Sequence, residues 1–133
     1  MSGKAQTVAI FNTNEDTIEL LRHFLERAGF NTVAAHVPSI QRGDTDLLKF
    51  VEQHDPDAIV YDIPPPYKES WTFASLLRST DAIKPRPIIF TTTNAELLRQ
   101  SVGETGAYEI VQKPYDFEKI VRAVEETLKP QES

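Results

Sequence analysis

The stretch that most constrains this chain is Ala58-Ile59-Val60-Tyr61-Asp62-Ile63-Pro64-Pro65-Pro66. A short apolar run containing β-branched residues reads as a central strand buried on both faces. Three successive prolines donate no backbone hydrogen bonds, so the strand must stop before them. Asp62 is thereby held at the carboxyl end of a buried strand, facing a loop. In an open α/β sheet that edge is where ligands and chemistry gather. A loop-capping carboxylate fits the same stretch, so the rest of the chain has to decide.

Four further apolar runs share the character of the first. They are Thr7–Phe11, Asn31–Ala35, Ile88–Thr92 and Ile110–Gln112. Between them the apolar residues recur at helical spacing. Ile18, Leu21, Phe24, Leu25 and Ala28 mark a helix capped by Asn14 and ended by Gly29. Further helices are expected at about Thr45–Gln53, Glu69–Ser79, Ala95–Glu104 (stopping at Gly106) and Asp116–Leu128. Residues 36–44 read as a polar loop, longer than the other connections. Five strands alternating with five helices predict one α/β domain over residues 1–133, with its core at about 7–128. Its parallel sheet has helices on both faces, and no effector domain is expected.

Composition removes several function classes. The chain is 40% hydrophobic and 26% charged, as a globular protein is. Its net charge of −6 argues against binding to nucleic acid or to anionic membranes. It has no cysteine, which excludes disulfides, thiolate metal sites and thiol nucleophiles. No apolar run reaches membrane-spanning length, and a cytoplasmic location is the expectation. No glycine-rich phosphate loop follows the first strand, which argues against a nucleotide or flavin cofactor. No base–nucleophile pair is evident, and none of His23, His36 and His54 falls on a strand-end loop of the crevice, so independent turnover as an enzyme is not expected.

The polar residues at the strand ends are Asn12 and Thr13, Asp62, Thr91 to Thr93, and Lys113. One carboxylate, one hydroxyl and one lysine converging there suit transient handling of a phosphoryl group. Each also has an ordinary reading, since β-propensity alone favours threonine in strands and Lys113 fits a solvated surface.

Taken in order, these residues resemble the receiver domain of two-component response regulators. The resemblance rests on Asp62 within Pro56–Ile63, Thr92 within Pro87–Thr92, Gly106-Ala107, and Lys113-Pro114 followed by Tyr115. It implies a flavodoxin-like doubly wound sheet of strand order 2-1-3-4-5. It implies Asp62 as phosphoacceptor, Thr92 as the hydroxyl that follows the phosphoryl group, and Lys113 as its cationic partner. Asn12, Thr13, Ile63, Pro64 and Thr93 would line the site, and the Lys113–Pro114 bond would be cis. A histidine kinase or a downstream signalling protein is the implied partner, with homodimerisation left open. The output face implied is the fourth long helix, fifth strand and last helix, offering Arg99, Tyr108, Glu109, Glu118, Lys119, Arg122 and Glu125.

The departures carry as much weight. Family members hold Mg²⁺ with two adjacent acidic residues at the end of the first strand, where this chain has Asn12 and Thr13. Asp62 is then the one carboxylate left for the metal, so Mg²⁺ affinity should fall sharply. With those charges gone, a standing Asp62–Lys113 ion pair becomes an expectation. The switch position on the fifth strand, usually Tyr or Phe, falls on Ile110, and Pro64-Pro65-Pro66 stiffens the loop after Asp62. The leading expectation is a receiver-like module with impaired phosphorylation that works through protein contacts. The alternatives are a competent phosphoacceptor at Asp62 and a small-anion- or metabolite-binding module on the same fold.

Overall fold

The computed structural model describes residues 5–43, 46–111 and 113–128. Along the chain run β1 (Thr7–Asn12), α1 (Glu15–Arg27), β2 (Asn31–His36), α2 (Val37–Gln41) and α3 (Leu47–His54). Then follow β3 (Ala58–Asp62), α4 (Tyr67–Arg78), β4 (Ile88–Thr92), α5 (Ala95–Val102), β5 (Tyr108–Glu109) and α6 (Pro114–Leu128). The strands form one sheet in the order β2-β1-β3-β4-β5, with every neighbouring pair parallel. This is the doubly wound topology expected from the sequence.

Alternation along the central strands divides the core in two. Phe11, Ile59, Tyr61, Ile63 and Phe90 pack with Leu47, Val51, Ala74 and Leu98 on one face. Val8, Ile10, Val60, Ile89 and Ile110 pack with Leu21, Leu25, Phe117, Ile120 and Val124 on the other. On the first face Trp71 meets Phe90 edge-on at 5.1 Å, and on the second Phe24 stacks on Phe117 at 5.4 Å. The caps are where the sequence puts them. Asn14 accepts from the Thr17 N–H at 2.9 Å, and Asn94 from the Leu97 N–H at 3.0 Å.

Three of the expected elements need correction. Residues 37–41 form a short helix rather than a loop, because Val37 and Ile40 are buried in the first core. Two apolar residues in a polar stretch give too little periodicity to show this from sequence. Residues 44 and 45, where the next helix was expected to begin, lie outside the described residues, and α3 is described from Leu47. α5 ends at Val102, since Gly103 takes φ +87° and breaks the helix before Gly106. β5 is Tyr108–Glu109, earlier and shorter than Ile110–Gln112, and Gln112 lies outside the described residues.

The cis peptide bond among the described residues is Pro65–Pro66, so Lys113–Pro114 is not cis. Pro114 instead opens α6, where proline's fixed φ suits a first helical turn.

One core residue is imperfectly satisfied. Tyr61 is buried and its hydroxyl has no hydrogen-bond partner among the described residues. Burial pushes this phenol's pKa far up, and the adjacent Asp62 charge acts in the same direction. Tyr61→Phe therefore removes an unmet polar group at almost no cost in packing. We expect it to stabilise the fold by about 1 kcal/mol, read as a higher urea midpoint with an unchanged m value.

Candidate functional site

The carboxyl ends of β1, β3 and β4 bring together Asn12, Asp62 and Thr91. Asp62 lies opposite Thr91 in the parallel register, and Asn12 lies opposite His36. Asp62 is only 3% exposed. Its side chain leaves the same face as Val60, toward α1 and α6. There its Oδ1 accepts from the Thr91 hydroxyl at 2.8 Å.

Burial raises the Asp62 pKa to about 6, and the Thr91 hydrogen bond pulls the other way. Burial wins because one neutral hydroxyl replaces little of the hydration that a carboxylate loses.

Thr92, the hydroxyl singled out from the sequence, points elsewhere. Its Oγ1 donates to the Ile63 carbonyl at 3.0 Å. Three consecutive threonines look alike in sequence; the β3–β4 register places Thr91 opposite Asp62. Thr93 is exposed beyond the strand. Ile63 is fully buried in the first core, and its backbone N–H donates to the Thr91 carbonyl at 2.8 Å. It fixes the loop rather than lining an open site. Pro64, half-buried, follows it.

The expected Asp62–Lys113 ion pair is absent. Lys113 is exposed, and no salt bridge between the two side chains is present among the described residues. The cause lies in β5. The strand ends at Glu109, so the chain has left the sheet before it reaches Lys113. Asp116 then gathers the turn, its Oδ2 accepting from the Val111 N–H at 2.7 Å and the Lys113 N–H at 3.0 Å. This buried carboxylate was not singled out from the sequence, although an aspartate two residues after a proline at a helix start is a capping signal. Ile110 follows β5 directly, buried in the second core, with its N–H donating to the Thr92 carbonyl at 2.8 Å.

The first-strand loop is tied into itself. Asn12 Oδ1 accepts from the Asn14 N–H at 2.9 Å, an Asx turn. The Thr13 carbonyl meets His36 Nε2 at 2.8 Å, and a carbonyl only accepts, so Nε2 carries a proton. His36 is therefore at a strand end beside the crevice, contrary to the expectation from sequence. Among the described residues, no three His, Asp or Glu side chains gather as a metal-holding group.

A buried aspartate thus ends the middle strand of a 2-1-3-4-5 sheet. The model of the response regulator receiver domain matches residues 8–125, and the chain belongs to that family, the receivers of two-component systems. Receiver domains are generally signalling modules rather than enzymes.

Among relatives, the "Polar-differentiation response regulator DivK" of Brucella anthropi is 26% identical, covering 92% of this chain and 96% of that protein. The "Probable C4-dicarboxylate response regulator DctR" of Priestia megaterium is 25% identical over 95% of this chain but 53% of its own length. The chain thus spans about half the length of the first curated relatives it matches. Among solved structures, the chemotaxis protein CheY4 of Vibrio cholerae superposes with a TM-score of 0.65 at 21% identity, covering 93% of this chain and 99% of that one. No helix among the described residues is long and apolar enough to cross a membrane.

Proposed function

We propose that this chain is a receiver module in which Mg²⁺-dependent phosphotransfer to Asp62 is impaired. Its signalling then runs mainly through contacts with a histidine kinase or a downstream signalling protein. The observation that carries this reading is the donor set around Asp62. Where the family has two carboxylates, this chain has the Asn12 amide, held in an Asx turn, and Thr13. Mg²⁺ demands near-octahedral oxygen ligation and gives up its water reluctantly, so it depends on carboxylate charge. One buried carboxylate, 3% exposed, supplies little of it. The donors fit the ion poorly.

Trp71 gives a direct test. It is the one tryptophan of the chain and packs edge-on against Phe90, whose neighbour Thr91 holds Asp62. Titration with MgCl₂ at constant ionic strength should leave both its fluorescence and the thermal midpoint unchanged. A midpoint that climbs with log[Mg²⁺] in the native protein but not in Asp62→Asn would refute the reading.

A further inference from the structure

The short β5 leaves part of the sheet edge open. β4 spans five residues, but β5 lies beside only Thr91 and Thr92. Bond directions in the parallel ladder show what the remainder presents. The Ile59 N–H donates to the Pro87 carbonyl and the Ile63 N–H to the Thr91 carbonyl, so the odd-numbered residues of β4 bond toward β3. The Ile110 N–H donates to the Thr92 carbonyl, so the even-numbered ones face the opposite side. The N–H and C=O of Ile88 and the N–H of Phe90 therefore point to an edge with no strand partner among the described residues.

That edge opens into a groove of about 550 Å³ lined by Ile88, Phe90, Tyr108 and a set of charged side chains. Three of these are cations, Arg78, Lys119 and Arg122, against one carboxylate, Glu126. The chain as a whole carries a net charge of −6, so this basic concentration runs against its overall balance. The cations also flank the edge from both sides. Arg78 ends α4, with its guanidinium 5.4 Å from the Trp71 ring and 5.5 Å from the Phe90 ring, on the first core face. Lys119 and Arg122 stand on α6, which covers the second face. Both are exposed, and neither forms an ion pair among the described residues.

We propose that this groove is a docking site for an extended acidic segment of a partner protein, which adds as a short strand along Ile88–Phe90. Strand addition uses the backbone groups of an open edge for affinity and side-chain pockets for selection. Successive side chains of an extended segment point to opposite faces. Two adjacent acidic residues would thus meet Arg78 on one face and Lys119 with Arg122 on the other. The segment satisfies the open edge groups and neutralises the cations in a single step. The site is separate from Asp62 and does not depend on its phosphorylation.

The test is fluorescence anisotropy at low salt, with a short, end-blocked, fluorescein-labelled peptide carrying two adjacent glutamates between β-branched residues. Expected are saturable binding to the native protein and a loss of at least about tenfold in affinity in the Lys119→Glu, Arg122→Glu double variant, as reversed charges at an interface produce. Both positions are exposed on a helix, so the variant should keep the native far-UV spectrum. A second peptide, N-methylated at alternate backbone nitrogens, keeps the charges but removes ladder donors, and it should bind much more weakly. Equal binding of the two peptides would reduce the site to diffuse electrostatics and overturn strand addition. Native affinity in the double variant, no binding at all, or concentration-dependent self-association abolished by the same variant (the groove being taken by a second copy) would each overturn the proposal.

Discussion

Asp62→Asn should stabilise this protein by about 2–3 kcal/mol at pH 7.5, an unusual outcome for a substitution at a signalling site. Asp62 is nearly inaccessible, and its pKa is raised from the ordinary 3.8 to about 6. A carboxyl with a raised folded-state pKa binds its proton more tightly in the native state than in the unfolded chain. Below pH 3.8 it is protonated in both states and costs nothing. As pH rises from 3.8 to about 6 the unfolded chain ionises first, and stability falls. Above that range the full cost is present. Each tenfold difference in proton affinity between the two states is worth about 1.4 kcal/mol, so the whole cost is on the order of 3 kcal/mol.

Asparagine is nearly isosteric, and its carbonyl still accepts from Thr91. Urea melts of the native and variant proteins at pH 7.5 and at pH 4 isolate the effect from the three histidines, which both share. The gain should be large at pH 7.5 and mostly gone at pH 4. A variant that is less stable at pH 7.5 would mean that Asp62 has a cationic partner in solution, with Lys113 the first candidate.

How far the sequence carries can be seen at this residue. The β-branched run and the prolines fix Asp62 at a strand end, because burial on both faces and the lack of donors after it are local consequences of residue type. The strand order followed from a resemblance, and the sheet agrees with it. What the residues did not convey depends on relations between distant segments. Which of three threonines faces Asp62 is set by the β3–β4 register. Whether Lys113 reaches it is set by where β5 ends. His36 stands at a strand end beside the crevice because β2 runs one residue further than its apolar pattern. α2 owes its place to two side chains that reach the core. Register and strand length are tertiary outcomes that a single sequence encodes only weakly.

The second large effect is expected from Asn12→Asp combined with Thr13→Asp. Aspartate at position 12 can still accept from the Asn14 N–H, so the Asx turn survives. Without metal, two added charges close to Asp62 should raise its pKa further and lower stability at neutral pH. With Mg²⁺ the order reverses. The double variant should gain stability with log[Mg²⁺], reaching about 2.7 kcal/mol at a hundredfold excess over the dissociation constant. The native protein should show no such slope. Thermal midpoints across a MgCl₂ series, with KCl holding ionic strength constant, read both. A flat response in the variant would place the defect beyond these two positions, in the burial of Asp62 behind Thr91.

The most direct test of impaired phosphotransfer is intact-mass spectrometry after incubation with an acyl phosphate, with and without millimolar Mg²⁺, and with Asp62→Asn in parallel. The native protein should keep its unmodified mass under both conditions. A phosphoryl adduct that forms only with Mg²⁺ and is missing from Asp62→Asn would contradict the account and make this chain a competent phosphoacceptor.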